Sequence, residues 1–138
     1  MNSSPTSILS KFYEKDSLRN TADGFEVMFR NRLAPTTLIG AGPLTIDGQQ
    51  YSGEQVVFQL ERPQEGHSRP PTPIMRTAEE INKGKSVVFG VNYTARVAVP
   101  GHQLSPGSYR VALALRTKEV GDITVTADDE IEAEAGEE

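Results

Sequence analysis

An all-β fold, an antiparallel β-sandwich of jelly-roll type, follows from three features of these 138 residues. Apolar residues recur at every second position in several separate runs, the period of a strand with one buried face. Turn formers such as Asp47-Gly48, Pro100-Gly101 and Ser105-Pro106-Gly107 break those runs at intervals of roughly ten residues. The helical stretches that parallel strands need for their crossovers are missing. A chain of this length can bury roughly two thirds of its unfolded surface, enough for a core without covalent staples. It has no cysteine to make any. The expected organisation is an N-terminal attachment segment (1–23), a β-sandwich domain (24–127) and an acidic tail (128–138).

Residues 7–19 place Ile8, Leu9, Phe12 and Tyr13 at helical spacing behind Ser7, a good N-cap, and predict a short N-terminal helix. Gly24 breaks it. Phe25, Val27 and Phe29 then alternate with Glu26, Met28 and Arg30, a half-buried strand that Pro35 ends. Two short strands are expected at 37–39 and 44–46, with a bulge or corner at Gly40, Gly42 and Pro43 between them. Asp47-Gly48 tolerates positive φ at both positions and turns the chain into a return strand at 49–51. Residues 55–60 give another strand, with Val56, Phe58 and Leu60 on one side. Thr77 and Glu80 have capping-box spacing for a single helical turn that Gly84 closes. From Val87 to Val99 seven odd positions are apolar or small, which predicts one long strand bent at Gly90. Tyr109, Val111, Leu113 and Leu115, then Ile123 and Val125, complete a C-terminal meander.

The formal net charge of −5 is unevenly spread. Residues 128–138 hold seven acids and no base, which reads as a solvated, disordered tail. The remaining body carries twelve acids and fourteen bases, with no dense Lys/Arg run interleaved with aromatics, so a nucleic-acid surface is not expected. Nor is a membrane partner: no stretch approaches the ~20 apolar residues of a span. No signal-peptide pattern opens the chain, and the lack of cysteine suits a reducing, cytoplasmic compartment.

No catalytic or metal-binding residue is assigned. Without cysteine there is no zinc ribbon and no thiol nucleophile. His67 and His102 lie in loops and lack the spacing of an HxH or HExxH site. No two carboxylates mark themselves as a glycosidase pair. The aromatics Tyr51, Phe58, Phe89, Tyr93 and Tyr109 fall on the apolar sides of their strands, as core packing or, less simply, as a sugar-stacking platform.

The one long irregular segment, ERPQEGHSRPPTP over residues 61–73, is the candidate partner-binding site, through Arg62, Pro63, His67, Arg69, Pro70, Pro71 and Pro73. Four prolines stiffen it and remove backbone donors, so ordering it against a partner costs less entropy than ordering a free loop. The competing reading is a tolerated surface insertion.

Three stretches carry a family resemblance: GFEVMFRNRLAPTTLIG from Gly24 to Gly40, GPLTIDG from Gly42 to Gly48, and LSPGSYRV from Leu104 to Val111. Together they resemble the small beta subunit of bacterial C-glycoside deglycosidases. The sequence departs from that family's Tyr-Arg-Gly-type segment after the first strand, reading Asn31-Arg32-Leu33-Ala34-Pro35 there. The resemblance implies a β-sandwich accessory subunit bound to a larger, TIM-barrel-like alpha subunit. That alpha subunit would hold a divalent metal, typically manganese, and cleave the sugar–aglycone C–C bond of 3-oxo-C-glycosides, flavonoid C-glycosides among them. No activity is expected of the small chain alone. The alternative is a stand-alone carbohydrate-binding or adaptor β-sandwich with no enzymatic role.

Overall fold

The computed structural model describes residues 10–63 and 72–132. Ten strands form two antiparallel sheets whose apolar faces meet in one core. The strands are β1 (Arg19–Asn20), β2 (Gly24–Arg30), β3 (Thr36–Ile46), β4 (Gln49–Tyr51), β5 (Val57–Glu61), β6 (Ile74–Thr77), β7 (Val87–Phe89), β8 (Thr94–Pro100), β9 (Gly107–Thr117) and β10 (Gly121–Ile131). The first sheet runs β1-β2-β8-β5-β6. The second runs β10-β9-β3-β4, with β7 also pairing on β3. The all-β sandwich is as expected.

The period-two runs place their apolar sides inward. Phe25, Val27 and Phe29 of β2 and Ala95, Val97 and Val99 of β8 are buried against Leu38, Leu44, Val111, Leu113 and Val125 of the facing sheet. Fully burying a phenylalanine or leucine is worth about 2 kcal/mol, so this core is the main source of stability. Asp47 (φ 50°) and Gly48 (φ 87°) make the tight turn that pairs Ile46 with Gln49. The capping box forms as expected. Thr77 Oγ1 accepts from the Glu80 N–H, and Glu80 Oε1 accepts from the Thr77 N–H, opening the one α-helix among the described residues, α1 (Ala78–Asn82).

Four expectations change. Residues 37–39 and 44–46 belong to one strand, β3, irregular between Leu38 and Gly40 and between Ala41 and Leu44. β9 pairs with one edge of β3, including Ala41; on the other edge β7 pairs with its first part and β4 with its last, so Ala41 has no strand on that side. The Asn82 carboxamide takes that place: Oδ1 accepts from Ala41 N–H at 2.8 Å and Nδ2 donates to the Ala41 carbonyl at 3.0 Å. A side chain of α1 thus completes the ladder where the backbone cannot.

The long strand over 87–99 is two strands in different sheets. The chain crosses from one layer to the other at Gly90–Tyr93, with Asn92 at φ 68°. A Cβ on Gly90 would sit 2.7 Å from the Tyr93 ring, so the crossing needs a glycine there. Buried Asn31 clamps it. Its Nδ2 donates to the carbonyls of Phe89 and Ala34, both at 2.7 Å, and its Oδ1 accepts from Leu33 N–H. Its backbone bonds to Asn92 and Tyr93.

The N-terminal helix is replaced by a single 3-10 turn at Ser10–Phe12, followed by an extended arm. Phe12 packs edge-on to Phe89 and Tyr13 edge-on to Phe29, so the apolar pair is held by the two layers. Ile8 and Leu9 lie outside the described residues. The disordered acidic tail does not begin at 128, because β10 continues through Asp128, Asp129 and Glu130 to Ile131. Asp128 pairs with Arg110 on the exposed side. Asp129 points inward, where its carboxylate accepts from the Tyr13 hydroxyl and from Leu18 N–H at 3.1 Å. β10 therefore holds the arm from Tyr13 to Leu18 in place. Residues 133–138 of the tail are outside the described residues.

Candidate interaction surface

The outer face of the first sheet is built by the polar half of the same alternation that fills the core. Strand register sorts its side chains into rows. One row reads Arg30, Thr94, Glu61 across β2, β8 and β5. The next reads Met28, Arg96, Gln59, Met75, ending on β6. The third reads Arg19, Glu26, Ala98, Val57, Thr77 from β1 to β6. Most of these residues are half-buried; Met75 is 55% exposed.

Ion pairs tie the rows together. Glu26, 6% exposed, accepts from Arg19 and, at 2.9 Å, from Arg96. Arg96 reaches on to Glu61 at 3.5 Å, and Gln59 Nε2 donates to the same carboxylate at 2.8 Å. A carboxylate shielded this far from water is stable only with such partners, so the network fixes the guanidinium planes on the face. The result is methionine beside anchored arginines, two residue types enriched in protein–protein contacts.

The proline-rich segment leaves from this face. Arg62, exposed, and Pro63, half-buried, continue β5, and exposed Pro73 leads into β6. His67, Arg69, Pro70 and Pro71 lie outside the described residues. The free edge of β6 is closed to strand addition: Arg76 Nη1 donates to the Met75 carbonyl at 2.9 Å, and the Thr77 N–H is held by Glu80.

Sequence reading singled out the loop and missed the outer face of the first sheet. Arg30, Met28, Arg96 and Gln59 were legible as the polar side of strands, but their register needed the paired strands. His102 leans over Tyr51 with ring centroids 5.7 Å apart, a packing contact. Tyr51, Phe58 and Phe89 are buried in the core and Tyr93 and Tyr109 half-buried against it. A cleft of about 400 Å³ opens between the N-terminal arm and the end of β10, lined by Asp16, Arg19, Asp129 and Glu130 among others. Asp129 there is already engaged by the arm. Among the described residues no three His, Asp or Glu side chains are grouped so as to hold a metal ion. No helix among them is long and apolar enough to cross a membrane.

The model of the hydroxymethylglutaryl-CoA reductase N-terminal domain matches residues 8–132, the arm and both sheets. The chain belongs to that family. Family membership therefore covers the whole described sandwich, including the ion-paired face. No curated protein matches the chain. Among solved structures, a family 123 glycoside hydrolase from Clostridium perfringens is similar at 13% identity and a TM-score of 0.36. That likeness covers 88% of this chain but only 26% of the hydrolase, and at this level it bears on neither fold nor substrate.

Proposed function

We propose that this chain is a non-catalytic accessory module that works bound to a separate catalytic polypeptide. The observation that carries the reading is the row Met28–Arg96–Gln59–Met75, an apolar-and-arginine strip held rigid by Glu26 and Glu61. Rigid, pre-ordered side chains lose little entropy on association, which favours docking.

The resemblance of the early strand and turn segments to C-glycoside deglycosidase beta subunits supplies the first partner. It is a TIM-barrel-like alpha subunit that cleaves 3-oxo-C-glycosides, with the divalent metal held in that subunit. The sandwich would support the barrel and contribute no proton-transfer group. Family membership favours a second partner, the catalytic part of a hydroxymethylglutaryl-CoA reductase. Both readings share the accessory role. A chain without cysteine suits the reducing cytoplasm, where we expect the complex.

Co-expression with each catalytic chain, followed by size exclusion, separates the readings. Co-elution with the barrel, and no deglycosylation by the small chain alone, is the expected result. Co-elution with the reductase chain instead selects the second reading. Elution apart from both, with binding to an immobilised glycan, would leave the stand-alone carbohydrate-binding sandwich. Turnover by the purified chain would overturn the accessory role.

A further inference from the structure

The cations and anions of the outer face do not balance, and the remainder is a single residue. Arg19 and Arg96 share Glu26, and Arg96 also takes Glu61, whose carboxylate is further bonded by Gln59. Arg30 is left over. It forms no ion pair or side-chain hydrogen bond among the described residues, and its Nε is shut off from solvent without an acceptor. That Nε is beyond the reach of a partner, but the two terminal nitrogens of the guanidinium are not shielded and are unpaired donors offered to one. The other shielded Nε belongs to Arg76, which lies opposite Phe58 on the inward side of β6 and spends Nη1 on the Met75 carbonyl. Arg30 faces outward, beside the Thr94 hydroxyl in its own row and next to Met28. Exposed Arg62, one residue beyond Glu61, adds a second cation at the same end of the sheet.

We infer that Arg30 is the anion-recognition point of the docking face and takes a carboxylate from an acidic segment of the protein partner. The inference rests on the docking reading above. The planar guanidinium fork matches a carboxylate in two-point geometry, and Met28, two residues back on the same face of β2, supplies an apolar neighbour. Glu61, the nearest acid in the row, is already neutralised by Arg96, so it does not cancel the attraction.

The test is an NMR titration of the full ¹⁵N-labelled chain with hexaglutamate, following the arginine Nε–H signals. Arg30 is expected to shift saturably and more than exposed Arg62 or Arg110. Arg30→Gln should weaken hexaglutamate binding roughly fivefold, the loss of about one charge-assisted bond, at unchanged Tm. An Arg30 signal that stays still, or moves only in proportion to the exposed arginines, overturns the inference. Tighter saturation by inorganic phosphate at equal ionic strength overturns the carboxylate assignment. If Arg30→Gln co-elutes with the catalytic chain as tightly as wild type, Arg30 is not the contact and the docking face still stands. If wild type does not co-elute either, the docking reading falls and the hexaglutamate result alone decides Arg30.

Discussion

Replacing Asn31 with aspartate should destabilise the chain by about 4 kcal/mol, a fall in Tm of roughly 15 °C. Asn31 is fully buried, and its Nδ2 donates to the Phe89 carbonyl and to the Ala34 carbonyl, which also accepts from the Thr36 hydroxyl. An ionised aspartate would put negative oxygen 2.7 Å from both, where nitrogen now stands. The buried contact to the Phe89 carbonyl would then turn repulsive, with an unpaired charge buried beside it. Protonating the new carboxyl restores one donor, so the deficit should shrink toward acid pH. Chemical denaturation at neutral and acid pH checks both parts. A loss below about 1 kcal/mol would mean that Asn31 does not clamp the crossing between the sheets.

Asp129→Ala should cost about 3 kcal/mol and release the N-terminal arm. The carboxylate, in a residue 8% exposed, accepts from the Tyr13 hydroxyl, Leu18 N–H and Glu130 N–H. Without it the first two are buried donors with no acceptor. Hydrogen exchange should rise at residues 13–20 before it rises in β9. The same contact sets an alkaline limit. Burial first, and the Asp129 carboxylate second, push the Tyr13 hydroxyl far above its ordinary value. The folded chain therefore keeps a proton that the unfolded chain releases above a pH of about 10. Stability from this group is complete below that pH and declines as pH rises further. Tyr13→Phe should flatten that decline while losing the bond to Asp129. A denaturation midpoint independent of pH across this range in wild type would contradict the pairing.

What was legible in the sequence was whatever local pattern decides. The alternation of Phe25, Val27 and Phe29, the Asp47-Gly48 turn and the Thr77/Glu80 capping box each depend on residues within a few positions. What was hidden depends on distant partners. The odd-position pattern runs unbroken from Val87 to Val99, although the chain changes sheet midway; Val91, which fits the pattern, is 40% exposed in the turn. Asn92 at positive φ beside Gly90 was the available sign. Asp129 looks like one acid in an acidic run until Tyr13, 116 residues away, is placed against it. Phe12 and Tyr13 fit a helical spacing equally well as anchors on Phe89 and Phe29. The candidate face is the extreme case, since none of its rows exists within one strand.

The docking face is tested most directly by Met75→Asp in size exclusion against the catalytic chain. Met75 is 55% exposed at the end of the central row, so the substitution should leave Tm within a few degrees of wild type. It replaces an apolar contact with a charge that repels an acidic partner. Wild type is expected to co-elute with the catalytic chain and the variant to elute separately. Co-elution of the variant at wild-type affinity would show that the partner does not meet this sheet.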